Sequence, residues 1–186
     1  MNNANDTNNA NETKTNTIAK PSNEFKSKFF RTNQIDSIKM TTQGEYSVSN
    51  SKASDILVKI IKKYFGSTNL IITDGTGNNG SDTIALASKF KFVNSIEIDP
   101  LNFSVLENNV MVFKLSNVKL FMNDTVNLLK TLKQDVIYID APWGGKDYKK
   151  DKHLKLFLGS IEISTLYNKF KDKARLFVFK VPSNYD

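Results

Sequence analysis

The chain predicts an α/β domain, a parallel sheet covered by helices on both faces, and three observations lead there. From about residue 50 onward, short β-type apolar runs alternate with amphipathic stretches of helical spacing. A glycine-rich turn, from Asp74 to Gly80, stands between the first such run and the helix after it. Acids fall just past the strand runs, at Asp74, Glu97, Asp124 and Asp140, where open parallel sheets hold their ligands. With 186 residues, 39% of them hydrophobic and 24% charged, the length suits one domain with a core of its own.

Each element follows from its residues. Residues 1–22 are almost all Asn, Thr, Asp, Lys and Ala, too poor in apolar groups to offset the entropy of ordering, so a disordered tail is expected. Residues 23–50 form an arm in which Phe25, Phe29 and Phe30 interleave with Lys26, Lys28 and Arg31. The sheet domain takes residues 51–186. Ala53, Ile56, Leu57, Ile60, Ile61 and Tyr64 have helical spacing, and Gly66 stops them. Strands are expected at Leu70 to Thr73, Val93 to Ile98, Val118 to Met122, Val136 to Ile139 and Leu176 to Val181. Helices are expected after the glycine turn through Ala87, after Pro100, from Val126 to Leu132, and near Ile161 to Phe170. Helices between strands imply right-handed crossovers.

Composition removes several functions. There is no Cys and one His, His153, so neither a disulfide nor a Cys/His zinc shell can form, and no metal site is expected. No apolar run approaches the roughly 20 residues of a membrane span, and the polar start has no secretory core. An intracellular protein, cytoplasmic or nuclear and not secreted, is the expectation, with no obligate protein partner. The formal charge of +7 suits polyanions, nucleic acid first among them, and also suits simple solubility.

Four motifs carry chemistry. The turn Asp74-Gly75-Thr76-Gly77-Asn78-Asn79-Gly80 reads as a nucleotide-type loop or as an ordinary tight turn; with no Gly-Lys-Ser/Thr it is not a phosphate loop. Glu97, about twenty residues past the glycines, suits both ribose hydroxyls, whereas Asp99 before Pro100 suits a helix cap. Asp124 serves equally as an acceptor for an adenine amino group or as a helix cap. Together they describe an adenosine-bearing ligand, S-adenosylmethionine or a nicotinamide dinucleotide. The fourth motif, Asp140-Ala141-Pro142-Trp143-Gly144-Gly145, chooses the first. An acid, a rigid turn and a flat π face suit a planar base whose exocyclic amine is held in line with a transferable methyl.

Asp140 to Tyr148, read as Asp-Ala-Pro-Trp-Gly-Gly-Lys-Asp-Tyr, resembles the Ser/Asp-Pro-Pro-Trp-Gly-Gly-x-Asp-Tyr signature of the trimethylguanosine synthases, RNA cap guanine-N2 methyltransferases. Ser37 to Met40 and Gly44 to Ser49 are similar to that family's Gly-Ile-Lys-Leu and Gly-Trp-Phe-Ser-Val-Thr. Asp99-Pro100, Asn108-Asn109 and Lys180 to Asn184 fit as well, so the likeness runs from Phe25 to Asn184. It implies a Rossmann-like class I S-adenosylmethionine-dependent methyltransferase, lacking or truncated at the usual C-terminal β-hairpin. It makes residues 51–186 the methyltransferase domain and the arm a contributor to the cap site.

The resemblance also implies a division of labour. Asp74 with Thr76, Gly77 and Gly80 would hold the methionine portion of S-adenosylmethionine, Glu97 its ribose and Asp124 its adenine, with Asp140 beside the methyl. Catalysis falls to Asp140 and Trp143, the indole stacking on the methylated guanine. Tyr46, Ser47, Lys146, Lys180 and Asn184 would join Trp143 on the substrate, a 7-methylguanosine-capped RNA methylated at N2. Lys149, Lys150 and Lys152, or the arm's Lys26, Lys28 and Arg31, would meet its phosphates. Asn78, Ser81, Glu45 and Ala141 depart from the family's pattern. Two other functions fit the same residues: a non-catalytic cap- or RNA-binding module, and a methyltransferase for base amino groups inside RNA or DNA.

Overall fold

The computed structural model describes residues 15–145 and 147–186. In chain order its elements are β1 (Ile18–Ala19), α1 (Asn23–Lys26), β2 (Met40–Thr41), α2 (Gly44–Ser47), α3 (Ser51–Phe65), β3 (Ile71–Asp74), α4 (Ser81–Ala87) and β4 (Phe92–Glu97). There follow α5 (Pro100–Val112), β5 (Val118–Met122), α6 (Thr125–Leu128), β6 (Val136–Ile139), β7 (Phe157–Leu158), β8 (Ile161–Glu162), α7 (Ile163–Phe170) and β9 (Leu176–Phe179). Five strands form the central sheet in the order β5-β4-β3-β6-β9, and every pairing in it is parallel. This is a Rossmann-like open parallel sheet. The chain leaves β3 toward β4 on one side and comes back to β6 on the other, so strand order reverses between β3 and β6. The crevice of such a sheet lies beyond the carboxyl ends at that reversal.

Local chemistry sets the helix ends. The Asn50 side chain accepts from Ala53 N to start α3, and left-handed Gly66 stops it, its amide bonded to Lys62 O. The buried face of α3, Leu57, Val58 and Ile61, packs with Val136 and Tyr138 of β6. Asp99 caps α5 through Asn102 N, with Pro100 in the first turn, as its position in the sequence suggested. All four residues of β6 are buried, the mark of a central parallel strand. A second cluster joins Ile137 and Ile139 of β6 to Ile163, Leu166 and Phe170 of α7, so both faces of the sheet are covered.

Three expectations change. Part of the anticipated disordered tail is ordered: β1 pairs antiparallel with β2, and Ser22 caps α1. Residues 1–14 lie outside the described residues. The helix expected near Ile161 begins only at Ile163, because β7 and β8 turn tightly through Gly159. The last strand ends at Phe179, two residues early, and Pro182 beyond it has no amide for a ladder. No helix among the described residues is long and apolar enough to cross a membrane.

The arm is the part of the fold that reaches the crevice. Phe30, Ile38 and Met40 are buried against Leu106 and Val110 of α5. Asn109 of α5 fastens it: its Nδ2 donates to Lys39 O at 2.9 Å and to Asn79 O at 2.8 Å, and its Oδ1 accepts from Lys39 N at 3.0 Å. Thr41 N in turn donates to Asn79 Oδ1 at 2.9 Å, so one buried amide cluster ties arm, α5 and glycine loop together.

Candidate functional site

The glycine loop is shaped by contacts to both neighbouring strands. Gly75 N donates to Tyr138 O at 2.9 Å and Gly77 N to Ile96 O at 2.8 Å. A Cβ on Gly77 would come within 2.6 Å of Ser95 Oγ and 2.9 Å of Leu106, so only glycine lets the loop lie this close to β4. Gly80, at φ 95°, needs the left-handed region, and Asn78, at φ 47°, occupies it as the residue type next best suited. Asn78 N donates to Glu97 Oε2 at 2.7 Å, while its side chain donates to Ser47 Oγ at 2.8 Å. The departure from glycine at this position therefore anchors α2 above the loop.

Asp74 is enclosed by the loop it begins. It is fully buried; Thr76 N donates to its Oδ1 and Thr83 Oγ1 to its Oδ2. Burial, followed by the charge of Asp82, pushes its carboxyl up to about 7. It organises the loop from inside, with Thr76 and Thr83 as its partners. Thr76 also works internally, its Oγ1 accepting from Asp140 N at 2.8 Å. Glu97 is half-buried, taking Asn78 N on one oxygen and Asp99 N on the other at 2.8 Å, and burial raises its pKa. A carboxylate has about four lone-pair sites, so Glu97 keeps acceptor capacity for a diol. For Asp124 the two readings were equal; its Oδ1 caps α6, accepting from Val126 N at 2.7 Å.

At the tip of β6 the chemistry concentrates. Asp140 Oδ2 accepts from Lys180 Nζ at 2.6 Å, and the same ammonium donates to Ser49 Oγ at 2.7 Å. Lys180 also lies 5.5 Å from the centroid of the Trp143 ring. The indole is half-buried, edge-on to Tyr148 at 5.1 Å, and presents a face to the Asp140–Lys180 pair. Its Nε1 is a buried donor with no acceptor among the described residues. Burial pushes the Asp140 carboxyl up to about 6 against the pull of Lys180.

Behind this pair is a network that sequence reading missed. The carboxylate of Asp82, buried at the start of α4, accepts from Ser49 Oγ at 2.5 Å, Ser54 Oγ at 2.6 Å and the Tyr138 hydroxyl at 2.9 Å. Through Ser49 it sets where Lys180 stands, and Lys180 sets where Asp140 stands. An acid in a first helical turn ordinarily reads as a partner of the helix dipole. Its three donors lie 28 to 56 residues away, so nothing local announced it.

Other expected contacts are satisfied inside the protein. Asn184 Nδ2 donates to Tyr148 O and Asp151 O, clasping residue 184 to the segment after Trp143. Lys26 is buried and donates to Ile38 O, so it is not available to a triphosphate, whereas Arg31 pairs with Asp55 at 2.8 Å on the surface and Lys28 is exposed beside it. Lys150 pairs with Asp147, while Lys149 and Lys152 are exposed. Tyr46 is 53% exposed on α2, one residue before Ser47 and its contact with the loop. Lys146 lies outside the described residues. Among the described residues no cluster of His, Cys, Asp or Glu could hold a metal ion.

Sheet order, glycine loop and strand-tip acids define a methyltransferase fold of class I. One solved structure with the same architecture is precorrin 8w decarboxylase from Methanobacterium thermoautotrophicum, at a TM-score of 0.50 and 18% identity over 69% of this chain and 63% of that one. Residues 69–186, more than half of the chain, match the model of the RNA cap guanine-N2 methyltransferases, and the chain belongs to that family. An uncharacterized protein of Acanthamoeba polyphaga mimivirus is 34% identical over 122 residues, 63% of this chain and 48% of the relative. The trimethylguanosine synthase of Schizosaccharomyces pombe is 27% identical over 113 residues, 57% of this chain and 46% of the relative. The matches thus span about half the length of these curated relatives.

Proposed function

We propose that the protein is an S-adenosylmethionine-dependent methyltransferase acting on the N2 amino group of 7-methylguanosine RNA caps. The observation that carries this reading is the pairing, at one strand tip, of an acid with an indole face on which a cation already rests. 7-Methylguanine is a flat cation, and an aromatic face holds such a ring by stacking and cation–π attraction worth about 0.5–2 kcal/mol.

The residues present fit the cofactor. Glu97 retains acceptor capacity toward ribose hydroxyls beside a loop whose backbone lies close to β4, and Asp124 stands at the next strand tip. When bound, S-adenosylmethionine supplies an electrophilic methyl group. Everything else falls to the chain's own side chains. Trp143 orients the purine, and Asp140 accepts from the 2-amino group, then takes the proton that N2 sheds on methylation. With its carboxyl near 6, Asp140 is mostly ionised at neutral pH and still basic enough to receive that proton. Lys180 leaves the indole face to the purine and stays with the carboxylate. The guanine 2-amino group is a weak nucleophile, so alignment supplies most of the acceleration, on the order of 7–11 kcal/mol.

A non-catalytic cap-binding module is the second reading, favoured by one observation: both Glu97 oxygens already hold backbone amides, so a ribose must share them. Incubating the protein with methyl-labelled S-adenosylmethionine and 7-methyl-GTP decides between the two. Label in the nucleotide, absent with GTP and with Asp140→Ala, is the expected result; nucleotide binding without transfer would leave only the second reading.

A further inference from the structure

Outside the crevice, a groove of about 420 Å³ runs along the outer side of α4. Its origin is local. Ser81, Ile84, Ala85 and Ser88 recur at i, i+3, i+4 and i+7, so the outward face of this short helix is low, and α3 on one side and the arm with Phe113 on the other stand above it. Topology fixes its direction. Helix α3 descends from the crevice end of the sheet to the start of β3, and α4 begins at the crevice end just after β3. Ser51 and Ser81 therefore mark the end nearest the site, and Lys62 and Lys89 the far end. From Ser51 to Lys62 the helix rises about 17 Å.

The lining is amphipathic and positive. Arg31, Lys59, Lys62 and Lys89 face one acid, Asp55, and Arg31 and Asp55 neutralise each other at 2.8 Å. Three exposed lysines remain over a floor that includes Ile84, with half-buried Phe29 and Phe113 as walls. Cations that follow a backbone, interleaved with aromatic faces for bases, suit single-stranded nucleic acid. An acidic peptide would meet the lysines and leave the aromatic walls without a matching partner.

We propose that this groove holds single-stranded RNA, the nucleotides that follow the cap. Only the word cap rests on the function proposed above; the groove's affinity for RNA stands by itself. Fluorescence anisotropy of a labelled 12-nucleotide single-stranded RNA, uncapped and 7-methylguanosine-capped, tests it on wild type, on Lys59→Ala/Lys62→Ala/Lys89→Ala, and on Ser88→Glu, with circular dichroism melts to confirm folding. Loss of three phosphate contacts should weaken both RNAs roughly ten- to hundredfold and flatten the log–log salt slope by about two. Ser88→Glu, which sets an anion on the groove floor, should weaken them as well, and the affinity for 7-methyl-GTP should stay unchanged in both variants. Unchanged RNA affinity in the folded triple variant overturns the proposal, and so does a parallel fall in 7-methyl-GTP affinity. A polyglutamate peptide that displaces the RNA at equal concentration, with the same lysine dependence, would assign the groove to acidic peptides instead. Should the protein fail to distinguish 7-methyl-GTP from GTP, the cap reading falls while the uncapped RNA still reports on the groove.

Discussion

Asp140 and Lys180 share one hydrogen bond and two consequences. Burial raises the Asp140 carboxyl to about 6, and Lys180 keeps it from rising further. Transfer should therefore decline about tenfold per pH unit below pH 6, as the acceptor fills with a proton. A pH–rate profile checks this, and Lys180→Met should move the break to higher pH. At Asp74 the same physics acts on stability. Its carboxyl sits near 7 when folded and near 3.9 in an unfolded chain, so the folded state binds the proton more tightly. Its contribution thus rises as pH falls from about 7 to 4 and drops as pH climbs, when a charge must be kept in the core. Urea midpoints at pH 5 and pH 8 should show that fall, and Asp74→Asn should remove most of it.

Which of these residues the sequence disclosed depends on how far away their partners are. Asp99 was legible as a cap because its partner is three residues ahead and Pro100 confirms the turn. Asp140 was legible as a strand-tip acid because the fully buried strand before it reads as a continuous apolar run, and Glu97 because it closes the next β-type run about twenty residues past the glycines. Asp82 was not, and neither was the inward aim of Asp74, because both depend on hydroxyls delivered by other segments. Lys26 was expected at the phosphates and Asn184 on the substrate, and each side chain donates to backbone carbonyls instead.

At the scale of elements, the arm couples to the crevice through a few amides. Asn109 makes three hydrogen bonds that hold Lys39 and the Asn79 carbonyl together, and the motif in which it stands was noticed in the sequence without a role. Asn109→Ala should leave buried backbone groups unmet at about 1–3 kcal/mol each, lowering stability and loosening α2 over the loop. A thermal melt reads the first effect. A KM for 7-methyl-GTP that rises more than kcat falls reads the second; equal losses in both would place Asn109 in catalysis rather than in holding the arm. The five strands and the five helices α3 to α7 were legible from the sequence, α6 ending at Leu128 rather than Leu132, whereas the β7–β8 hairpin was hidden by its two-residue strands, too short to carry a pattern.

For the whole molecule, the charge of +7 and the reversal of strand order act together. The reversal gathers Glu97, Asp124 and Asp140 at the sheet's carboxyl edge, while the chain as a whole carries an excess of lysines. Association should be strongly salt-dependent for RNA and only weakly so for a cap nucleotide seated on Trp143. The chain's single tryptophan makes the central claim directly measurable. Titrating its intrinsic fluorescence with 7-methyl-GTP should quench it in a saturable way at concentrations where GTP has little effect, because only the methylated purine brings a cation to the indole. Equal quenching by both nucleotides, or none by either, would contradict the account.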